Sequence, residues 1–155
     1  MDGQNTRRWI SNLLIKRPEL QRAKLERTRD LMNEAVPDCL VHGYEPLIAG
    51  LDLPDKTDLH ILAAAIHCNA DAIVTFNLKD FPAGSLSPYN IEAQHPDEFL
   101  CHQIGLNLAA VIIAAKSCRA QLKQPPKSAE DFLSALEKCQ LPETVDALLE
   151  YSTVI

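Results

Sequence analysis

The chain has 155 residues, of which 46% are hydrophobic and 23% charged, so it is long and apolar enough to bury a core and is excluded from the disordered class. Its 21 acidic and 15 basic residues give a formal net charge of −6. That balance excludes a generally basic nucleic-acid coat but not an acidic centre that meets nucleic acid through metal ions. Five scattered cysteines, Cys39, Cys68, Cys101, Cys118 and Cys139, show no close ligand spacing and read as reduced thiols of a cytoplasmic protein.

In chain order, Trp9, Ile10, Leu13 and Leu14 recur at helical spacing and predict a helix over 6–15. Pro18 suits the first turn of a second helix, predicted over 19–36, with Leu20, Ala23, Leu31, Ala35 and Val36 on one face. Arg7, Arg8, Lys16, Arg17, Arg22, Lys24, Arg27 and Arg29 concentrate positive charge in this region. It reads as a solvated helix face that could also meet an RNA backbone or an acidic partner. Pro37 and Asp38 break the pattern, Cys39-Leu40-Val41 is a short strand candidate, and Pro46–Gly50 a single helical turn.

The middle of the chain is the most informative. Asp55 and Asp58 stand ahead of the alanine-rich apolar run Leu59–Cys68, which is a helix start. Asn69 closes that helix. Asp71–Thr75 is a continuous apolar run suited to a strand buried on both faces, and Ile91–Ala93 is a second brief strand. Beyond Asp97 only helices are predicted. One runs over 97–122, and its apolar stretch Ile104–Ala115 is read as a buried helix rather than a membrane span. A break follows at Gln124-Pro125-Pro126-Lys127. A helix then starts with the capping pattern Ser128-Ala129-Glu130-Asp131, and a last one begins at Pro142.

Asp58 at a helix start and Asp80 just past a strand are the pair with chemical promise. In open α/β sheets, ligands gather beyond the carboxyl ends of strands, where a helix start and a strand end can meet. Convergent carboxylates there would hold Mg²⁺ or Mn²⁺ through oxygen. The plain alternative is that Asp58 caps a helix and Asp80 makes a turn. The five histidines form no His-x-x-x-His pair, no serine has a nucleophile-elbow setting, and the glycines form no phosphate loop.

The stretch LPDKTDLHILAAAIHCNADAIVTFNLKDFP, Leu53–Pro82, resembles the second half of a PIN domain of the VapC-type, toxin-like kind. An aspartate opens the alanine-rich helix at Asp58. An Ala-Asp-x-Ile-Val-Thr strand ends at Thr75, and an Asn-x-x-Asp-Phe turn runs from Asn77 to Phe81. The resemblance implies an α/β fold, a PIN-like three-layer sandwich with a short parallel sheet, here incomplete, over 1–100, with a helical C-terminal extension over 101–155. It implies the lineage of metal-dependent endoribonucleases from bacterial toxin–antitoxin pairs. By position, Asp58 and Asp80 match metal-binding acids, Asn77 is their polar neighbour, and Thr75 orients a carboxylate or the substrate. Asp55 reads as an outer helper or as an ordinary loop acid.

Two departures accompany the match. The family's first strand, ending in aspartate, has no counterpart before Thr6, and Asp2 is too near the start to end one. Arg7-Arg8-Trp9 stands where an early glutamate is expected. The expectation is therefore an incomplete acidic site that binds Mg²⁺ or Mn²⁺ weakly and has little or no activity. Partners in that reading are RNA, an antitoxin-like protein and a second copy of the chain, with no membrane. Two alternatives are a non-catalytic protein-binding or dimerisation module, and a piece of an active ribonuclease whose start lies upstream.

Overall fold

A computed structural model describes residues 10–11, 13–36 and 39–155. The expectations placed on Arg7, Arg8 and Trp9, and on the break at Pro37-Asp38, lie outside the described residues. Those described fall into two packing units. One comprises the residues up to Ile73 together with Lys79–Ala93. The other comprises Val74–Leu78 and Gln94–Ile155.

In the first unit, residues 13–16 are helical. Pro18 does not open the next helix. It sits in a turn closed by the Leu20 N–H donating to the Arg17 carbonyl at 3.1 Å. Helix α1 begins later and runs Arg22–Ala35. Charged helix formers and an Arg22–Glu26 pair one turn apart sustain it. It buries none of its residues, so its predicted apolar face is left uncovered. Cys39–Val41 forms no strand, Val41 making only an isolated bridge. Glu45–Gly50 is a 3₁₀ segment, and Tyr44 just ahead of it is buried against Ala63 and Ala64.

Helix α2, Leu59–His67, is preceded by a 3₁₀ turn over Lys56–Asp58. Its end is set by Asn69, which takes a left-handed φ of 52°. The Ala70 N–H then donates to the Ala65 carbonyl at 2.9 Å and the Asn69 N–H to Ile66 at 3.2 Å, satisfying carbonyls the helix leaves open. Strands β1, Ala72–Val74, and β2, Glu92–Gln94, pair in a two-stranded sheet. Glu92 donates to Asp71 and Thr75 to Gln94, so both strands rise together and the sheet is parallel. β1 is not buried on both faces, for Val74 is 44% exposed.

Between the strands, the sequence reading missed helix α3, Ala83–Leu86, and a 3₁₀ turn over Ser87–Tyr89. Leu86 is fully buried and fixes both to the core of Leu53, Leu62, Ala65, Ile73, Phe81 and Ile91.

The second unit is helical. It contains α4, Pro96–Gln121, α5, Ala129–Lys138, and α6, Pro142–Leu149. Its core joins Phe132, Leu133, Leu148 and Ile155 to one face of α4, carrying Ile104, Val111, Ile112 and Ala115. The opposite face is open, with Leu106 80% and Ile113 66% exposed, so Ile104–Ala115 is not the buried helix expected. By length and composition α4 could cross a bilayer. Its ladder is broken at Asn107, which has φ −155° and ψ 81°. The Asn107 side chain accepts the Ala110 N–H at 3.0 Å, and so caps the second half of the helix.

Asp97, at the start of α4 and 5% exposed, ties α4 to α6. Its carboxylate accepts the N–H groups of Glu143 at 2.9 Å and Thr144 at 2.8 Å, and the Thr144 hydroxyl at 2.6 Å. Burial pushes this carboxyl up, but the bonds from Thr144 and Glu143 outweigh it and hold it below the ordinary aspartate range. Burial also pushes the Cys101 thiol, 4.0 Å from the same hydroxyl, above its usual value.

Candidate functional site

Asp58 and Asp80, expected to converge, do so within the first unit, and Asp55 joins them. One carboxylate oxygen from each of the three lies within 4.8 Å of the others, and all three residues are half-buried. Among the described residues this is the one group of three or more acidic, histidine or cysteine side chains so placed.

Each acid is positioned by a buried neighbour. Asp80 ends the 3₁₀ turn Leu78–Asp80, and Phe81 beside it is buried in the core. Asp58 heads α2, and Leu62, one turn on, is fully buried. Asp55 follows Leu53, another core residue. The capping role is divided in an informative way. Asp58 occupies the N-cap position of α2 but makes no side-chain cap hydrogen bond. Asp55 does the local bonding instead, accepting the Thr57 N–H at 2.8 Å and the Thr57 hydroxyl at 2.7 Å. Asp58 thus holds the cap position without the cap bond that the plain reading gave it.

The trio sits at the positive end of the α2 dipole, which offsets part of the repulsion among three carboxylates. Three aspartate oxygens at this spacing suit a hard, oxygen-preferring divalent cation such as Mg²⁺ or Mn²⁺. The sequence had offered Asp55 only as an outer acid or loop residue. Its three-residue spacing from Asp58 was the available signal, since a tight turn returns residues three apart to the same side.

Thr75 and Asn77 belong to the second unit. There the Asn77 N–H donates to the Thr75 hydroxyl oxygen at 3.1 Å. Phe76 between them packs edge-on against His95, with ring centroids 5.2 Å apart and an interplanar angle of 82°.

An α/β chain with a short parallel sheet and a helical tail is consistent with an incomplete PIN-like sandwich, and its clustered aspartates lie at a helix start. Residues 96–150 match the family model described as "VapC50 C-terminal domain". The chain is 41% identical over 101 residues to a curated protein of Mycobacterium tuberculosis whose name reads "Putative ribonuclease VapC50". Those residues are 65% of this chain and 59% of that relative, so the chain spans well under two thirds of the relative's length. No solved structure matches the chain significantly. Over those spans the chain is similar to proteins described as VapC50. The helical region beyond Leu100, which carried little of the resemblance in sequence, contains most of the segment matched by the family model.

Proposed function

We propose that this chain is a metal-dependent endoribonuclease of the toxin–antitoxin kind, acting on single-stranded RNA through Asp58, Asp80 and Asp55. The observation that carries this reading is the convergence of the three carboxylates at the head of α2. A Mg²⁺ or Mn²⁺ held there would polarise a bound water toward attack and neutralise charge on the phosphodiester. The protein's part is to hold and orient. Asp58 and Asp80 face one another from a helix start and a loop, both anchored in one core. Asp55 is braced by Thr57, which limits its swing. Thr75 and Asn77 are assigned the orientation of substrate. Three carboxylates grip Mg²⁺ less firmly than a fuller set, because the ion gives up its waters reluctantly, so activity is low and rises with metal concentration.

The test is cleavage of a labelled single-stranded RNA in Mn²⁺. Asp58→Asn and Asp80→Asn should each lower the rate roughly 100-fold or more, the scale set by weakened hold on the metal and on the charge it stabilises. Asp55→Asn should cost less. Cleavage that survives chelation, or Asp58→Asn at the wild-type rate, overturns the reading.

A second reading, a non-catalytic module for dimerisation or antitoxin binding, is favoured by the open apolar face of α4 at Leu106 and Ile113. Light scattering that shows a strict monomer with no co-purifying partner counts against it.

A further inference from the structure

We propose that Phe76 is a stacking platform for an unpaired base of the RNA, an inference that rests on the ribonuclease reading above and assigns that site its substrate contact. Phe76 is 58% exposed, and the apolar residues alternating with it, Val74 and Leu78, are 44% and 41% exposed. A ring this far in water is accessible to a ligand that brings a flat face of its own.

The ring is nonetheless held. His95 meets it edge-on at 5.2 Å. The His95 Nδ1 in turn accepts the Asp97 N–H at 3.2 Å, and Asp97 is the buried acid fastened to the head of α6. These contacts all lie within the second unit. A ring fixed before binding stacks on a base at little entropic cost. Three residues further along the chain stands Lys79, also exposed. Aromatic rings for bases with cations for phosphates are the combination that single-strand binding surfaces use, since every base has a π-face. Asp80 follows Lys79, and the four steps of chain from Phe76 to Asp80 span at most ~14 Å when extended.

The test titrates the full chain against a short single-stranded RNA carrying one 2-aminopurine, with chelator present so that nothing is cut. Phe76→Leu keeps apolar bulk without a ring, and Phe76→Trp keeps a ring. The proposal expects Phe76→Leu to bind about 5- to 150-fold more weakly and to lose the fluorescence quench, the range that removing one stacked ring gives. It expects Phe76→Trp to bind as the wild type does, and a fully paired RNA to be indifferent to both changes. Matching melting temperatures establish that the variants are folded. If the wild type cuts RNA in Mn²⁺ and Phe76→Leu binds and cuts it equally well, the ribonuclease reading stands and the platform alone is overturned. Loss of self-association or of a protein partner in Phe76→Leu, at unchanged RNA affinity, overturns it in favour of a protein contact. A wild type that neither binds nor cuts RNA overturns both.

Discussion

Two aspartates in this chain stand near helix starts, Asp97 buried and Asp58 half-buried. Asp97 is buried and accepts three hydrogen bonds, two of them from the first N–H groups of α6. Replacing it with Asn keeps the shape but turns a charged acceptor into a group with a misdirected donor. Asp97→Asn should cost about 2–3 kcal/mol of stability, read as a lower urea midpoint. Its pH dependence follows from the depressed carboxyl. The stabilisation is fully present above the ordinary aspartate range and is lost as pH falls through the folded-state value. Wild type should therefore lose its advantage over Asp97→Asn only in strong acid, in paired urea melts taken at falling pH. Asp58 holds an N-cap position without a side-chain cap bond, so Asp58→Asn removes no cap, and its effect is expected chiefly on cleavage, read against the melting temperature of the same variant. The sequence named Asp58 and Asp80 because motif and chemistry agreed there. It could not rank Asp55, because whether a loop acid turns inward depends on Leu53 and Thr57 taking their places.

At the level of elements, those with a local cause were readable and those with a tertiary cause were not. The capping box at the head of α5 is local. Ser128 accepts the Asp131 N–H at 3.0 Å while its own N–H and hydroxyl donate to the Asp131 carboxylate. Those bonds hold the Asp131 carboxyl below its usual range. Ser128→Ala should cost about 1 kcal/mol, and Asn107→Ala a similar amount, each measured by the thermal midpoint. Asn69 likewise announced the end of α2. By contrast, α3 was invisible because four residues carry no periodicity, and only the burial of Leu86 makes them a helix. Cys39–Val41 has strand-forming residues but, among the described residues, no ladder to join. The apolar run in α4 predicted burial, yet a packed face needs only Ile104, Val111, Ile112 and Ala115, and the rest of the run stays in water.

For the molecule as a whole, the acidic composition and the central motif pointed to class and site, while the division into packing units was not legible, since Val74–Leu78 joins the C-terminal unit across a break in sequence. Metal linkage offers a whole-molecule measurement. A cation that binds the folded trio raises stability by mass action, about 2.7 kcal/mol at a hundredfold excess over its dissociation constant. Added Mn²⁺ should raise the melting temperature of wild type, and the rise should vanish in a protein carrying both Asp58→Asn and Asp80→Asn. Asn107 has a consequence on the same scale. Its departure from helical geometry leaves rods of roughly 16 and 21 Å, at 1.5 Å per residue, on either side. Each is far shorter than the ~30 Å of hydrocarbon in a bilayer, and a backbone N–H that loses its carbonyl at the break needs another acceptor, as Ala110 finds in the Asn107 side chain. One asparagine thus divides a single oily rod into two lengths, neither of which matches a bilayer by itself.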